Sequence, residues 1–262
     1  MKRQHSLIVG GTRGIGRAVA RTLAAEGHTV SVIGRRKPAP GDTELSRVTH
    51  WTVDLLDERV VRASLKKIIH RSGKLNNLVF CQRFRGEGDA WEGEIQTSLN
   101  GTKNLIERLV DEFDDEGEKA IVVIASIACQ WVAGEQGPGY HVAKAGLVQL
   151  ARYYALTLGP RGIRVNCVSP GTTVKDENRD FYKQNRPLQN LYAGITPLRR
   201  MGTAEDVATV VSFLCSKKAG FITGQNIIVD GGASLPWSES LARGLAALDG
   251  LPVTRRSSGS RR

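Results

Sequence analysis

Six short apolar runs, separated by turns and by stretches of helical period, set the limits on what this 262-residue chain can fold into. They are "SLIVG" from Ser6, "TVSVIG" from Thr29, "LNNLVFC" from Leu75, "AIVVIAS" from Ala120, "IRVNCVS" from Ile163 and "NIIVDGG" from Asn226. A run as continuously apolar as "AIVVIAS" suits a strand covered on both faces. Between the runs, "GIGRAVARTLAAEG" carries the 3.6-residue stripe of a helix. "RVVRASLKKIIH" puts Val60, Val61, Leu65, Ile68 and Ile69 on one face behind an N-cap at Asp57. "TAEDVATVVSFLCS" opens with Thr203 and Asp206 spaced as a capping box, and a long helix is expected to follow Tyr140. Strand and helix in alternation give an α/β fold, a doubly wound parallel sheet with helices on both faces. No internal repeat or linker interrupts the pattern. One domain is expected over residues 1–237, with a loose extension over 238–262 that ends in a basic, disordered tail.

Composition narrows the partners. No apolar run approaches the roughly 18 residues of a membrane-spanning helix, and the apolar stretch in "MKRQHSLIVGG" is too short for a signal peptide. The four cysteines (Cys81, Cys129, Cys167, Cys215) are widely spaced and contain no C-x-x-C pair. That argues against metal and disulfide sites and for a reducing cytoplasm. A net charge of +11 raises the question of nucleic acid. Four of the arginines, however, lie in the terminal "VTRRSSGSRR", where a solvated tail explains much of the excess.

The first strand ends in "GGTRGIG". Gly10, Gly14 and Gly16, with Thr12, Arg13 and Ile15 between them, fall at a strand-to-helix turn. Glycine there lets backbone approach a ligand, and free N–H groups at the helix start attract phosphate. This is the setting in which such a loop holds a dinucleotide. About 20 residues on, an NAD site would offer a carboxylate to the ribose. This chain offers Arg35, Arg36 and Lys37 instead, with no carboxylate until Asp42. A carboxylate would repel a 2′-phosphate, whereas arginine grips it in a fork. Arg13 closes from the other side, and the cofactor expected is NADP(H).

"GPGYHVAKAG" places Tyr140 four residues before Lys144, one helical turn apart on one face. These residues, with "VDL" at Val53 to Leu55, "IRVNCVSPG" and "PLRRMGTAEDVA…ITGQNIIVDGG", resemble in order and spacing the short-chain dehydrogenase/reductases, and in particular the 3-oxoacyl-carrier-protein reductases. The resemblance runs from about Leu7 to Ala233. It implies a Rossmann-type sheet of seven parallel strands, an NAD(P)(H) cosubstrate and a homotetramer or homodimer. By the same resemblance Tyr140 is the general acid or base, and Lys144 favours the phenolate and holds the nicotinamide ribose. Ser126 hydrogen-bonds the substrate carbonyl, and Asp54 and Leu55 flank the adenine. Pro170, Gly171 and Thr173 lie under the nicotinamide.

Three departures accompany the resemblance. Where the family has Asn-Asn-Ala-Gly, this chain reads Phe80, Cys81, Gln82, Arg83, and Val9 replaces a threonine that ties the glycine loop to that motif. Cys81 and Gln82 are then expected to face the cofactor. Ser98 occupies the column of the family's catalytic asparagine, with Asn100 two residues on. Ser126 precedes Tyr140 by one residue more than usual, so "CQWVAGEQGPG" carries an insertion beside the substrate. The leading reading is an NADPH-dependent reductase of a ketone or 3-oxoacyl carbonyl. Substrate contacts are expected from Trp131 to Gly139 and from a loop over about 172–198. The polar, basic character of that loop leaves two readings open, recognition of an anionic or carrier-bound substrate or a solvated lid. The alternative function is an NADP-binding sensor or scaffold with impaired catalysis.

Overall fold

The computed structural model describes residues 3–37 and 48–246. In chain order the elements are β1 (His5–Val9), α1 (Gly14–Ala25), β2 (Thr29–Gly34), β3 (Val48–Thr52), α2 (Glu58–Ser72), β4 (Asn77–Phe80), α3 (Ala90–Glu94) and α4 (Gly101–Leu109). A single π-helical segment, Ile95–Asn100, joins α3 to α4. There follow β5 (Lys119–Ile124), α5 (Pro138–Leu158), β6 (Ile163–Pro170), β7 (Thr173–Val174), α6 (Arg179–Gln184), α7 (Arg186–Ile195), β8 (Gly202–Thr203), α8 (Ala204–Cys215), β9 (Asn226–Val229) and α9 (Ser238–Ala246).

Seven strands form one sheet in the order β3-β2-β1-β4-β5-β6-β9, and every pairing is parallel. All residues of β1, β4 and β6 are buried, because helices cover both faces. On one face Leu65, Phe80, Leu105, Leu147 and Ala151 interlock; on the other Val19, Leu23, Val207, Val211 and Leu214 do so. Each of the larger side chains among these contributes about 1.5–3 kcal/mol by leaving water. Chain order reverses between β1 and β4, and the crevice beyond the carboxyl ends of strands at such a switch is where open α/β sheets bind ligands.

The six apolar runs all become strands of this sheet, and the seventh, β3, is an edge strand that pairs only with β2. Asp57 caps α2 by accepting from Val60 N at 3.0 Å. Thr203 and Asp206 form the reciprocal box at α8. Arg200 grips the same Asp206 with both nitrogens (2.6 and 2.7 Å), and its guanidinium pulls that carboxyl down to about 2. Three expectations are corrected. Val60 points outward, 39% exposed, because the apolar stripe of α2 is narrower than drawn: Val61, Leu65 and Ile68 are buried, with Ile69 partly buried against the same core. The long helix starts at Pro138 rather than after Tyr140, since proline is suited to a first helical turn. The stretch after Trp237 opens as the helix α9, which meets α7, instead of as a loose end. Asp42 and the basic tail lie outside the described residues.

Candidate active site

The crevice at the switch point is a cavity of about 280 Å³, and the glycine loop forms one wall. Gly10 takes a φ of 80°, and a Cβ there would stand 2.7 Å from Gln82 N. At Gly16 a Cβ would stand 2.3 Å from Gly10 O. Only glycine lets β1 turn this tightly into α1 with the β4 loop pressed against it. The altered segment continues the β1–β4 ladder through backbone: Cys81 N donates to Val9 O at 2.8 Å. Val9 and the altered Cys81–Gln82 segment therefore still hold the loop. Gln82 is anchored by Nε2 donating to Thr102 Oγ1 at 2.8 Å.

Thr12, Arg13, Gly14 and Ile15 line the cavity beside Gly10 and Gly16, and Arg35 and Arg36 line it at the end of β2. Both arginines are exposed. Asp54 and Leu55 reach it from the end of β3, and Pro170, Gly171 and Thr173 from the end of β6. Gly171 packs so closely on Asp230 that a Cβ would meet the Asp230 Cβ at 2.8 Å. The cradle, with forked cations where the second strand ends, fits a dinucleotide carrying an extra phosphate.

Ser126, Tyr140 and Lys144 form the opposite wall. Ser126 Oγ accepts from Ala128 N at 3.2 Å, which leaves its proton free to donate. Tyr140 sits in the first turn of α5, where Gly139 lets the backbone of Trp91 come within 2.7 Å of its would-be Cβ. Among the described residues its phenol oxygen has no hydrogen-bond partner, so the cavity is its outlet. Lys144 is 3% exposed and donates from Nζ to Ile124 O at 2.9 Å. The ammonium lies 5.6 Å from the Tyr140 ring centroid. Burial is the main cause that brings Lys144 down to about 8, with Glu94 opposing the shift and Arg83 adding to it. A lysine so placed switches charge near neutral pH.

Ser98 does not join this wall. Its side chain is fully buried and its Oγ donates to Glu94 Oε2 at 2.7 Å. Asn100 is also turned away and donates from Nδ2 to Gln96 Oε1 at 2.8 Å. Both lie within the π-helical segment, whose wider turn gives their side chains directions that an unbroken α-helix would not. Thr97 is the residue of this segment that reaches the cavity.

Several lining residues lie in segments already marked as altered or substrate-facing, without having been singled out for a role. Arg83 and Arg85 come from the altered β4–α3 loop, and Lys175 and Glu177 from the segment after β7. Arg85 pairs with Glu177 at 3.2 Å, and Arg17 with the neighbouring Asp176 at 2.8 Å. Burial, and then Arg85, hold Lys175 below the usual lysine range. The run of charges in "VKDEN" was visible, but its position over the glycine loop comes from β7 pairing with β8. The expected loop over 172–198 is itself mostly two helices, α6 and α7, on which Tyr182 and Tyr192 meet edge-on. On the insertion side, Ala133 N donates to His141 Nε2 at 2.9 Å and ties the loop back onto α5.

Comparison with known proteins gives a consistent result. A family model described as Enoyl-(Acyl carrier protein) reductase matches residues 9–234. The chain is 32% identical over 247 residues to 3-oxoacyl-[acyl-carrier-protein] reductase FabG of Staphylococcus aureus, a match spanning 87% of this chain and 97% of that protein. The structure of levodione reductase superposes with a TM-score of 0.78 at 27% identity, over 89% of this chain and 98% of that one. The structure of ElxO with NADP bound superposes at 0.77 over 90% of this chain and all of that one, and its 24% identity speaks to the fold.

Proposed function

We propose, for a chain that belongs to the short-chain dehydrogenase/reductase family, the NADPH-dependent reduction of a ketone or 3-oxoacyl carbonyl to a secondary alcohol. One observation carries this reading. A single cavity is lined at one end by the glycine loop with Arg35 and Arg36, and at the other by Ser126, Tyr140 and Lys144. The names of the relatives agree with carbonyl reduction, and the NADP held by ElxO agrees with the nucleotide.

In this reading Arg35 and Arg36 hold the 2′-phosphate, and Gly10, Gly14 and Gly16 let the diphosphate approach the start of α1. When bound, NADPH supplies the hydride for the carbonyl carbon. Ser126 donates its free proton to the carbonyl oxygen and steadies the charge that grows there. Tyr140 gives its phenolic proton to that oxygen, and the Lys144 ammonium favours the phenolate left behind. The alternative, an NADP-binding sensor or scaffold, draws support from Ser98 and Asn100 both lying off the cavity. It leaves unexplained a cavity-lining tyrosine whose hydroxyl has no hydrogen-bond partner among the described residues.

Fluorescence titration tests the nucleotide assignment. The wild type is expected to bind NADPH more tightly than NADH. Arg35→Asp with Arg36→Asp is expected to weaken NADPH at least ~100-fold, since each change removes a forked contact and adds a repelling charge. Equal affinity for the two nucleotides, or affinity for neither, would contradict the assignment.

A further inference from the structure

Arg83 stands where the family has a glycine, and its guanidinium lies over the Tyr140 ring, 4.8 Å from the centroid. The side chain is about one-third exposed (34%) and lines the cavity. Its hydrogen bonding is incomplete. Nη2 reaches Gln136 Oε1 at a long 3.4 Å, and the buried Nε has no hydrogen-bond partner. The nearest carboxylate, Glu94, is 3.8 Å from Nε, beyond hydrogen-bond reach. That carboxylate is engaged elsewhere, with Oε2 accepting from Ser98 Oγ at 2.7 Å and from Phe84 N at 3.4 Å. Glu94 therefore orients the guanidinium without saturating it. At this end of the cavity two cations, Arg83 and Lys144, face one buried anion, and Lys144 already spends a proton on Ile124 O.

We propose that Arg83 receives a carboxylate of the substrate, which makes the substrate a short oxo acid whose negative group lies close to the carbonyl that Tyr140 serves. The inference rests on the reductase reading above and narrows its substrate class. The two Nη groups carry between them a single long bond among the described residues, and a carboxylate offers the two parallel acceptors that this fork fits. The cofactor's phosphates have other cations. Lys175 Cδ lies 3.2 Å from where a Gly14 Cβ would stand, and Arg85 reaches the same place through Glu177. Arg83 instead lies at the tyrosine. Glu94 acts through Arg83 and is a positioning residue.

The test compares 2-oxo and 3-oxo acids of four to eight carbons with their methyl esters, using the NADPH-loaded enzyme. Wild type should favour acid over ester in kcat/KM by at least ~100-fold, short of the roughly 10⁴–10⁵ at which a site built to pair a polar group rejects an analogue lacking it, because the ester keeps acceptor oxygens and loses only the charge. In Arg83→Met that acid-to-ester ratio should fall by a similar factor, chiefly through KM for the acid, with NADPH affinity held within about twofold. Arg83→Lys, which keeps the charge and loses the fork, should fall between the two. The proposal is overturned if wild type handles esters as well as acids, if Arg83→Met lowers both equally, or if it weakens NADPH instead. Absence of turnover with every carbonyl tried, despite NADPH binding, defeats the reductase reading itself and the proposal with it.

Discussion

Tyr140→Phe is expected to bind NADPH within about twofold of wild type and to lose about 10²–10⁴-fold in kcat, the usual contribution of a positioned proton donor. The substitution removes one oxygen that has no hydrogen bond to any described residue, so the fold loses no partner there. Unfolding temperature should stay within about 2 °C of wild type, since a surface change of under 0.5 kcal/mol moves a chain of this size by no more. Ser126 and Lys144 remain in place, so the residual rate reports positioning and oxyanion stabilisation without the acid. Steady-state assay beside nucleotide titration separates these effects. A variant with near wild-type kcat would remove Tyr140 from the chemistry.

Lys144→Met is expected to lower kcat by at least ~100-fold and yet raise stability at pH 7. The folded protein holds this lysine down to about 8, chiefly by burial, against an ordinary value of 10.5. Below pH 8 the folded state therefore carries a charge that the unfolded chain carries in water at less cost. Between about 8 and 10.5 the unfolded chain binds a proton that the folded one has released, so stability rises with pH across that window. A shift of this size corresponds to about 3 kcal/mol as an upper bound. Loss of the hydrogen bond to Ile124 O offsets about 1 kcal/mol of it. A Tm a few degrees above wild type at pH 7, with the gap closing toward pH 10, is the expected pattern. In wild type, kcat/KM for reduction should fall as pH rises through about 8 and the ammonium is lost. A Tm below wild type at pH 7 would mean that the charge is better accommodated than its burial suggests.

Most of the sheet was legible because its central strands are buried on both faces and so read as unbroken apolar runs. The edge strand "VTHWT" was not, since half-covered positions admit Thr49 and His50, Thr52 is exposed, and no run is left to see. The glycine loop, Arg35, Arg36, Tyr140 and Lys144 could be placed because each depends on local spacing within one turn or one helix. Ser98 could not: its register is set by a π-helical turn, which hydrophobic period does not reveal. Arg83 was visible as a replaced glycine, but its place over the Tyr140 ring depends on how the β4–α3 loop meets α5. Glu94 was silent in the sequence, a carboxylate on a short helix. Its burial follows from packing against Arg83, Ser98 and Phe84. Residues positioned by regular local spacing were readable, whereas those set by an irregular turn or by the meeting of two elements were not.

In the proposed reaction this cavity moves hydride to a carbonyl carbon. Incubation of the protein with an oxo acid and NADPH deuterated at both hydrogens of nicotinamide C4, followed by mass spectrometry of the product, traces that hydride. A hydroxy acid with one deuterium on the former carbonyl carbon, formed by wild type and not by Tyr140→Phe, is the predicted result. Tight NADPH binding with no label passed to this or any other carbonyl compound would contradict it and leave the sensor reading standing.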